Sequence, residues 1–118
     1  MFLEELSRIN DRIQGAVALS LVAKDGIPVE SVSSDPDLDL EVLAAELVAQ
    51  ARSISDNHRE LHLGEVQQLS VATDRMTLMV SSVAEDYYLL LVLGPEGSYG
   101  QARFELRRAR LVLERELS

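Results

Sequence analysis

The chain has 118 residues, enough for one domain, which we expect to span residues 1–118. It carries 20 acidic and 11 basic residues, a net charge of −9, and no cysteine. The lack of cysteine excludes disulfides and thiolate chemistry, and the negative charge disfavours nucleic acid and anionic membranes as partners. No apolar run approaches the about 20 residues of a membrane span, and the N-terminus does not resemble a secretory signal, so we expect a cytoplasmic protein.

The first predicted element is an amphipathic helix. Apolar residues recur at spacings of three and four near the N-terminus, at Phe2, Leu6, Ile9 and Ile13. Gly15 follows directly and is typical of the residue just past a helix end.

A β-hairpin is predicted next. Residues 16–23 form a nearly continuous apolar run, which indicates a strand covered on both faces. Asp25-Gly26 suits a two-residue hairpin turn, and a second strand over residues 27–32 follows. Because Pro28 cannot donate a hydrogen bond to a neighbouring strand, we expect the second strand at a sheet edge.

The second helix is predicted to begin near Asp39 and to run to about Asn57. Its main apolar stripe, widened by Ala44 and Val48, consists of Leu40, Leu43, Leu47, Ala51 and Ile54. A second set of small or apolar residues lies on the opposite side, at Val42, Ala45 and Ala49. A helix covered on one side only would carry charge there, so this set predicts a second buried face at a subunit interface.

Three strands and a closing helix complete the chain. The strands are predicted over residues 65–72, 75–83 and 87–93; the second alternates as an amphipathic strand, and the third is apolar throughout, as a central strand would be. The final helix begins with a capping box at Ser98 and Gln101, and Phe104 and Leu111 project away from its core stripe. The predicted element order is α-β-β-α-β-β-β-α.

Three weak matches to metal or nucleotide sites have simpler structural explanations. His58 and His62 flank Glu60, but a zinc-protease helix needs its glutamate directly after the first histidine, and no third ligand is evident. Three acids at Asp35, Asp37 and Asp39 lack the glycine of a calcium loop and instead complement the dipole of the second helix. Glycines at 94, 97 and 100 fit no phosphate-loop spacing. We therefore predict no metal, no cofactor and no catalytic residue.

The last helix is rich in arginine, with Arg103, Arg107, Arg108, Arg110 and Arg115 among three glutamates. The spacing pairs Glu105 with Arg108 and Arg110 with Glu114, which favours a solvated, salt-bridged face. An arginine supplied in trans to a GTPase is a weaker alternative.

Taken in order, these features resemble the Roadblock/dynein light-chain family, in its bacterial MglB-like branch. The resemblance rests on the hairpin over residues 18–29, the turn at Thr73-Asp74-Arg75, and the strand over residues 88–93 that leads to a glycine-containing loop and an arginine-rich helix. It implies an α+β sandwich of the longin/profilin-like type. One five-stranded antiparallel sheet has the strand order 2-1-5-4-3, with the first and third helices on one face and the second helix on the other.

The resemblance also implies a homodimer that acts on a small Ras-like GTPase of the MglA type. Helix 2 would pack against its counterpart and strand 3 would pair with strand 3, through Val42, Ala45, Ala49, Val66, Gln68 and Ser70. Regulators of this branch reposition the GTPase's own catalytic groups, so the chain itself would be no enzyme. The exposed side of helix 2 would contact the GTPase through Gln50, Arg52, Ser53 and Asp56.

Two other functions remain open from the sequence. One is a structural adaptor, like the light chains of motor complexes, with no GTPase partner. The other is a small-molecule sensor, because profilin-like sheets also house ligand pockets; the nearly complete aliphatic filling argues against it.

Overall fold

The computed structural model describes residues 2–117, apart from the side chain of His58. The elements confirm the predicted order, and they are α1 (Leu3–Arg12), β1 (Ala16–Ala23), β2 (Pro28–Ser33), α2 (Leu40–Glu60), β3 (Gln68–Ala72), β4 (Thr77–Val83), β5 (Tyr87–Leu93) and α3 (Tyr99–Leu117). None of these helices is long and apolar enough to span a membrane.

The five strands form one antiparallel sheet in the order β2-β1-β5-β4-β3. β5 lies at the centre, as its continuous apolar sequence predicts. β2 lies at an edge, and Pro28 pairs with Val22 beside a register shift in the β1–β2 ladder. A proline is tolerated there because the outer side of the strand has no ladder to donate to.

Helices cover both faces of the sheet. α1 and α3 pack on one face, where Leu6, Ile9, Leu106 and Leu113 join apolar side chains of β1, β4 and β5 in the larger core cluster. α2 packs on the other face, and its buried residues Ala44, Leu47, Val48 and Ala51 meet Val22, Val80 and Leu90. The predicted sandwich, with two helices opposite one, is confirmed.

Two predicted strand starts are wrong by two or three residues, and the prediction of β2 over residues 27–32 is one residue early at each end. β3 begins at Gln68 rather than at residue 65, because the segment over residues 65–67 first runs beside α2, where Glu65 accepts a hydrogen bond from Arg59 at 3.3 Å. β4 begins at Thr77 rather than at residue 75, because the turn before it extends further than the sequence suggests. The Thr73 hydroxyl accepts from the amides of residues 75 and 76 at 3.2 and 3.0 Å.

The predicted alternation of β4 is also wrong. Met79, Val80 and Ser81 are buried one after another, because helices cover both faces of this strand. The predicted end of α2 is too early as well, since that helix continues to Glu60.

Two glycines bring the start of β1 against the loop before α3. Gly15 has φ +83°, and a Cβ atom added to it would lie 2.5 Å from the Cα of Gly97. A Cβ atom added to Gly97 would collide with the side chain of Leu93. This close backbone approach, rather than loop flexibility, explains why glycine occupies both positions.

Candidate protein interaction site

The N-terminus of α2 is capped by an acidic side chain. The carboxylate of Asp39 accepts a hydrogen bond from the amide of Val42 at 3.2 Å, as an N-cap residue does. Of the three acids before α2, Asp39 thus caps the helix end directly. Asp35 likewise accepts from the amide of Asp37 at 3.0 Å within the preceding loop.

We define the outer face of α2 as Val42, Ala45, Ala49, Ser53 and Asp56. Successive residues turn by about 100° around a helix, so these five lie opposite the buried stripe. All five are exposed, and Val42 exposes 61% of its surface. The N-terminal half of this face is apolar or small and the C-terminal half is polar, so the two halves suit different contacts.

The predicted GTPase-contacting residues lie along and beside this face. Ser53 and Asp56 belong to it, whereas Gln50 and Arg52 flank it on either side, and all four are exposed. Arg52 donates to the carbonyl oxygen of Lys24 at 3.3 Å. Asp56 lies 3.5 Å from the guanidinium of Arg59.

The residues predicted on strand 3 lie apart from the outer face of α2. Gln68 and Ser70 face the α3 side of the sheet, where the Ser70 hydroxyl lies 3.2 Å from the hydroxyl of Tyr99 and Gln68 donates to both hydroxyls. Val66 precedes β3 in the chain. The structure therefore places Val42, Ala45 and Ala49 on the α2 side of the sheet and Gln68 and Ser70 on the α3 side.

A groove of about 630 Å³ opens beside the C-terminal half of α2 and contains Val66. Its charged lining combines four cations with four acids, Lys24, Arg52, Arg59 and Arg110 with Asp56, Glu65, Glu85 and Asp86. Arg59 contacts Glu65 at 3.3 Å, which ties α2 to the chain before β3. No pattern in the sequence predicts this groove, because its walls come from five stretches that are distant in the chain.

Tyr88 lines this groove, and burial and the charges of the groove shift the pKa of its phenol. Burial raises the pKa of the Tyr88 phenol, Arg52 opposes that rise, and the carboxylates of Glu65 and Asp56 add to it. The phenol therefore stays protonated at neutral pH and can donate a hydrogen bond within the groove.

The weak metal and nucleotide motifs form no site among the described residues. α2 ends at Glu60 and His62 lies beyond it with φ 58°, while the side chain of His58 is outside the described residues. Two amides of the glycine loop already donate to backbone carbonyl oxygens. The amide of Gly94 donates to the carbonyl of Gly15 at 2.8 Å, and that of Gly97 to the carbonyl of Gly94 at 3.1 Å. Over residues 2–117, apart from the side chain of His58, no group of three acids or histidines could hold a metal ion.

A five-stranded antiparallel sheet with this strand order, between one helix and two, defines the profilin-like class of α+β sandwiches. Residues 3–93 match the Roadblock/LC7 domain family, and the chain belongs to that family. The resemblance drawn from the hairpin, the turn and the central strand is thus confirmed. Curated proteins provide no match.

Solved structures agree with this assignment. The gliding protein MglB from Thermus thermophilus superimposes with a TM-score of 0.86 at 23% identity, over 95% of this chain and 84% of that one. MglC from Myxococcus xanthus gives 0.72 at 30% identity, over 98% of both chains. Profilin IA from Acanthamoeba castellanii gives 0.61 at 11% identity over the full length of both chains, which shows the shared fold alone.

Proposed function

We propose that this protein is a homodimeric regulator or scaffold of a small Ras-like GTPase of the MglA type, and that it works in the cytoplasm. Membership of the Roadblock/LC7 family, with the fold of MglB, carries the proposal. In this role the protein is not itself catalytic. It binds the GTPase and can speed GTP hydrolysis by positioning the GTPase's own groups.

The dimer contact fits the apolar half of the outer face of α2. Val42 is the large anchor, and Ala45 and Ala49 allow a second α2 helix to approach closely. Such a contact would remove exposed apolar surface from water. Pairing of β3 with β3 would also cover an edge that is otherwise open to unwanted strand pairing.

The GTPase contact fits the polar half of the same face, around Ser53 and Asp56. The arginines nearby are already engaged, Arg52 with the Lys24 carbonyl and Arg59 with Asp56 and Glu65. An arginine finger must be free to reach a phosphate in the partner's active site. The engaged arginines therefore favour a mechanism of activation that uses no arginine finger from α2.

The test uses the MglA-type GTPase encoded in the same genome, loaded with a non-hydrolysable GTP analogue for binding and with GTP for phosphate release. We expect a stable complex with the parent protein, and Ser53→Arg should weaken it at least about tenfold by adding bulk and charge at the contact. Gln14→Arg adds the same charge at an exposed site on the other side of the sheet and should leave binding unchanged.

Absence of both binding and rate enhancement would contradict the proposal and favour a structural adaptor without a GTPase partner. Equal weakening by Ser53→Arg and Gln14→Arg would show that the contact does not involve the outer face of α2.

A further inference from the structure

The exposed side of α3 carries an unusual ridge. We define the α3 ridge as Phe104, Arg107, Arg108, Leu111 and Arg115, which helical periodicity places along one side of the helix. Phe104 exposes 59% and Leu111 61% of their surfaces, although both are large apolar residues. A helix face that met only water would mix both signs of charge. This one contains no acid.

The arginines of the ridge are only partly neutralised. Arg108 lies 3.5 Å from Glu105, and its guanidinium sits 5.9 Å from the centre of the Phe104 ring. The Arg107 guanidinium makes no hydrogen bond or ion pair with any residue that the structure describes. The predicted pairs Glu105–Arg108 and Arg110–Glu114 are present, but they leave the outer side of the ridge positive.

The ridge borders a small cleft between α1 and α3. Ile9, Ala109 and Val112 form its apolar part, and its charged lining is Glu5, Arg8, Arg12 and Arg108. Its volume is about 150 Å³, which is enough for one large apolar side chain. Val112 exposes 46% of its surface and continues the apolar surface from the cleft towards the ridge.

Charge is distributed unevenly over the molecule. α1 and α3 carry seven basic and six acidic residues, whereas the rest of the chain carries four basic and 14 acidic residues. These two helices together therefore carry a net charge of +1, against −10 for the rest of the chain, and the α3 ridge, with three arginines and no acid, is their positive part. Two such ridges would repel each other. A wide anionic membrane would also face the negative charge of the rest of the molecule, whereas a single helix lying on the ridge would stay within a Debye length of its arginines.

We propose that the α3 ridge and its cleft bind an acidic amphipathic helix of another protein. An apolar side chain of that helix would enter the cleft and a second would pack on Phe104 and Leu111. Carboxylates beside them would meet Arg107, Arg108 and Arg8, whose planar guanidinium groups suit carboxylate geometry. This face lies across the sheet from α2, so the contact is separate from the proposed GTPase contact and from the α2–α2 part of the proposed dimer.

The probe is a fluorescein-labelled synthetic peptide of about four helical turns, with leucine at helical spacing on one side and glutamate elsewhere. Fluorescence anisotropy should show saturable binding to the parent protein. Phe104→Ser and the double variant Arg107→Glu/Arg108→Glu should each raise the dissociation constant about tenfold or more. Leu61→Ser and the single charge reversal Arg75→Glu change exposed sites elsewhere and should have no effect.

A second peptide, with lysine in place of glutamate, should not bind. Backbone hydrogen exchange of the parent protein gives a readout that needs no variant: the glutamate peptide should slow exchange in α1 and α3 and leave α2 unchanged.

Several results would overturn the proposal. These are no binding of the glutamate peptide, equal binding of the lysine peptide, and slowed exchange confined to α2. If the parent protein formed oligomers and Phe104→Ser did not, the ridge would be a contact with a second copy of the chain. Binding of the parent, but not of Phe104→Ser, to phosphatidylserine–phosphatidylcholine vesicles would assign it to a membrane.

Discussion

Single residues decide how closely two loops approach at the start of β1. Gly15 combines a left-handed backbone with a backbone-to-backbone contact, since its added Cβ would lie 2.5 Å from the Cα of Gly97. Gly64 has a similar φ of +93° but nothing within 4 Å of an added Cβ atom. Both positions therefore have backbone strain, but only Gly15 would add a steric clash, so a comparison of the two measures the free energy of the clash.

Gly15→Ala should therefore destabilise the protein more than Gly64→Ala. Gly64→Ala carries only the strain of a positive φ, about 1 kcal/mol, whereas Gly15→Ala adds overpacking for a total of about 3 kcal/mol. Urea unfolding at neutral pH, followed by circular dichroism, gives both free energies. Equal losses would show that the two loops separate readily and that the close approach does not constrain the fold.

Glu114 links α3 to the turn between β4 and β5. Its carboxylate accepts from Arg110 at 2.9 Å and from the amide of Ala84 at 3.4 Å. The hydrogen bond from Arg110 lowers the pKa of Glu114, with a smaller contribution in the same direction from the amide of Ala84. A lowered pKa in the folded state stabilises the protein above the pKa of the unfolded chain, and this stabilisation is lost as the pH falls through the folded value.

Glu114→Gln should accordingly lower the free energy of unfolding at pH 7, by no more than about 1 kcal/mol because the pair is partly exposed. The difference from the parent should shrink as the pH is lowered into the acid range. Urea titrations at a series of pH values measure it, and Glu116→Gln, at an exposed position on the same helix, is the control. A difference that persists at acid pH would mean that the variant acts through packing and not through charge.

At the scale of elements, the sequence predicts a helix or strand well where the pattern comes from burial. The predicted bounds of β1 and β5 match the observed ones because both faces of each strand are covered, and the edge position of β2 follows from Pro28. The predicted start of β4 is wrong because the true start depends on hydrogen bonds to one hydroxyl, that of Thr73. Such bonds leave no periodic trace in a sequence.

In the candidate site, too, the sequence predicts what helical spacing decides and misses what tertiary packing decides. Helical spacing predicted that Val42, Ala45 and Ala49 share a face away from the main apolar stripe, and the structure exposes all three. The spacing could not predict the groove beside Tyr88, which is assembled from segments distant in sequence. Nor could it show that Gln68 and Ser70 turn towards Tyr99, because that depends on the register of β3 against β4.

A charge introduced on the outer face of α2 tests whether this helix forms the dimer interface. Ala45→Glu should give a folded monomer, because this residue is exposed within one chain and a buried, unpaired carboxylate would arise only across a helix pair. Asn57→Glu adds the same charge at an exposed position further along α2 and should leave the dimer intact. Sedimentation equilibrium measures the mass and circular dichroism the fold. A dimer unchanged in Ala45→Glu would place the interface elsewhere.

At the scale of the whole molecule, the uneven charge distribution gives the two proposed contacts long-range electrostatic interactions of opposite sign. The proposed dimer would join two chains of net charge −9 through an apolar helix face, so long-range repulsion would oppose it. The α3 ridge, in contrast, would attract an acidic helix through its arginines. Salt screens both effects, and it shortens the Debye length from about 10 Å at 0.1 M to about 3 Å at 1 M.

Raising the concentration of sodium chloride over that range should therefore change the two affinities in opposite directions. The dissociation constant of the dimer should fall as repulsion is screened, whereas that of the glutamate peptide on the α3 ridge should rise as attraction is screened. Sedimentation equilibrium follows the first and fluorescence anisotropy the second, on the same preparation. In Arg107→Glu/Arg108→Glu the salt response of the peptide should reverse its sign, because the ridge would then repel glutamate, while that of the dimer should keep its sign. A dimer that weakens in salt would indicate that ion pairs across the interface, rather than Val42 and its small neighbours, hold the two chains together.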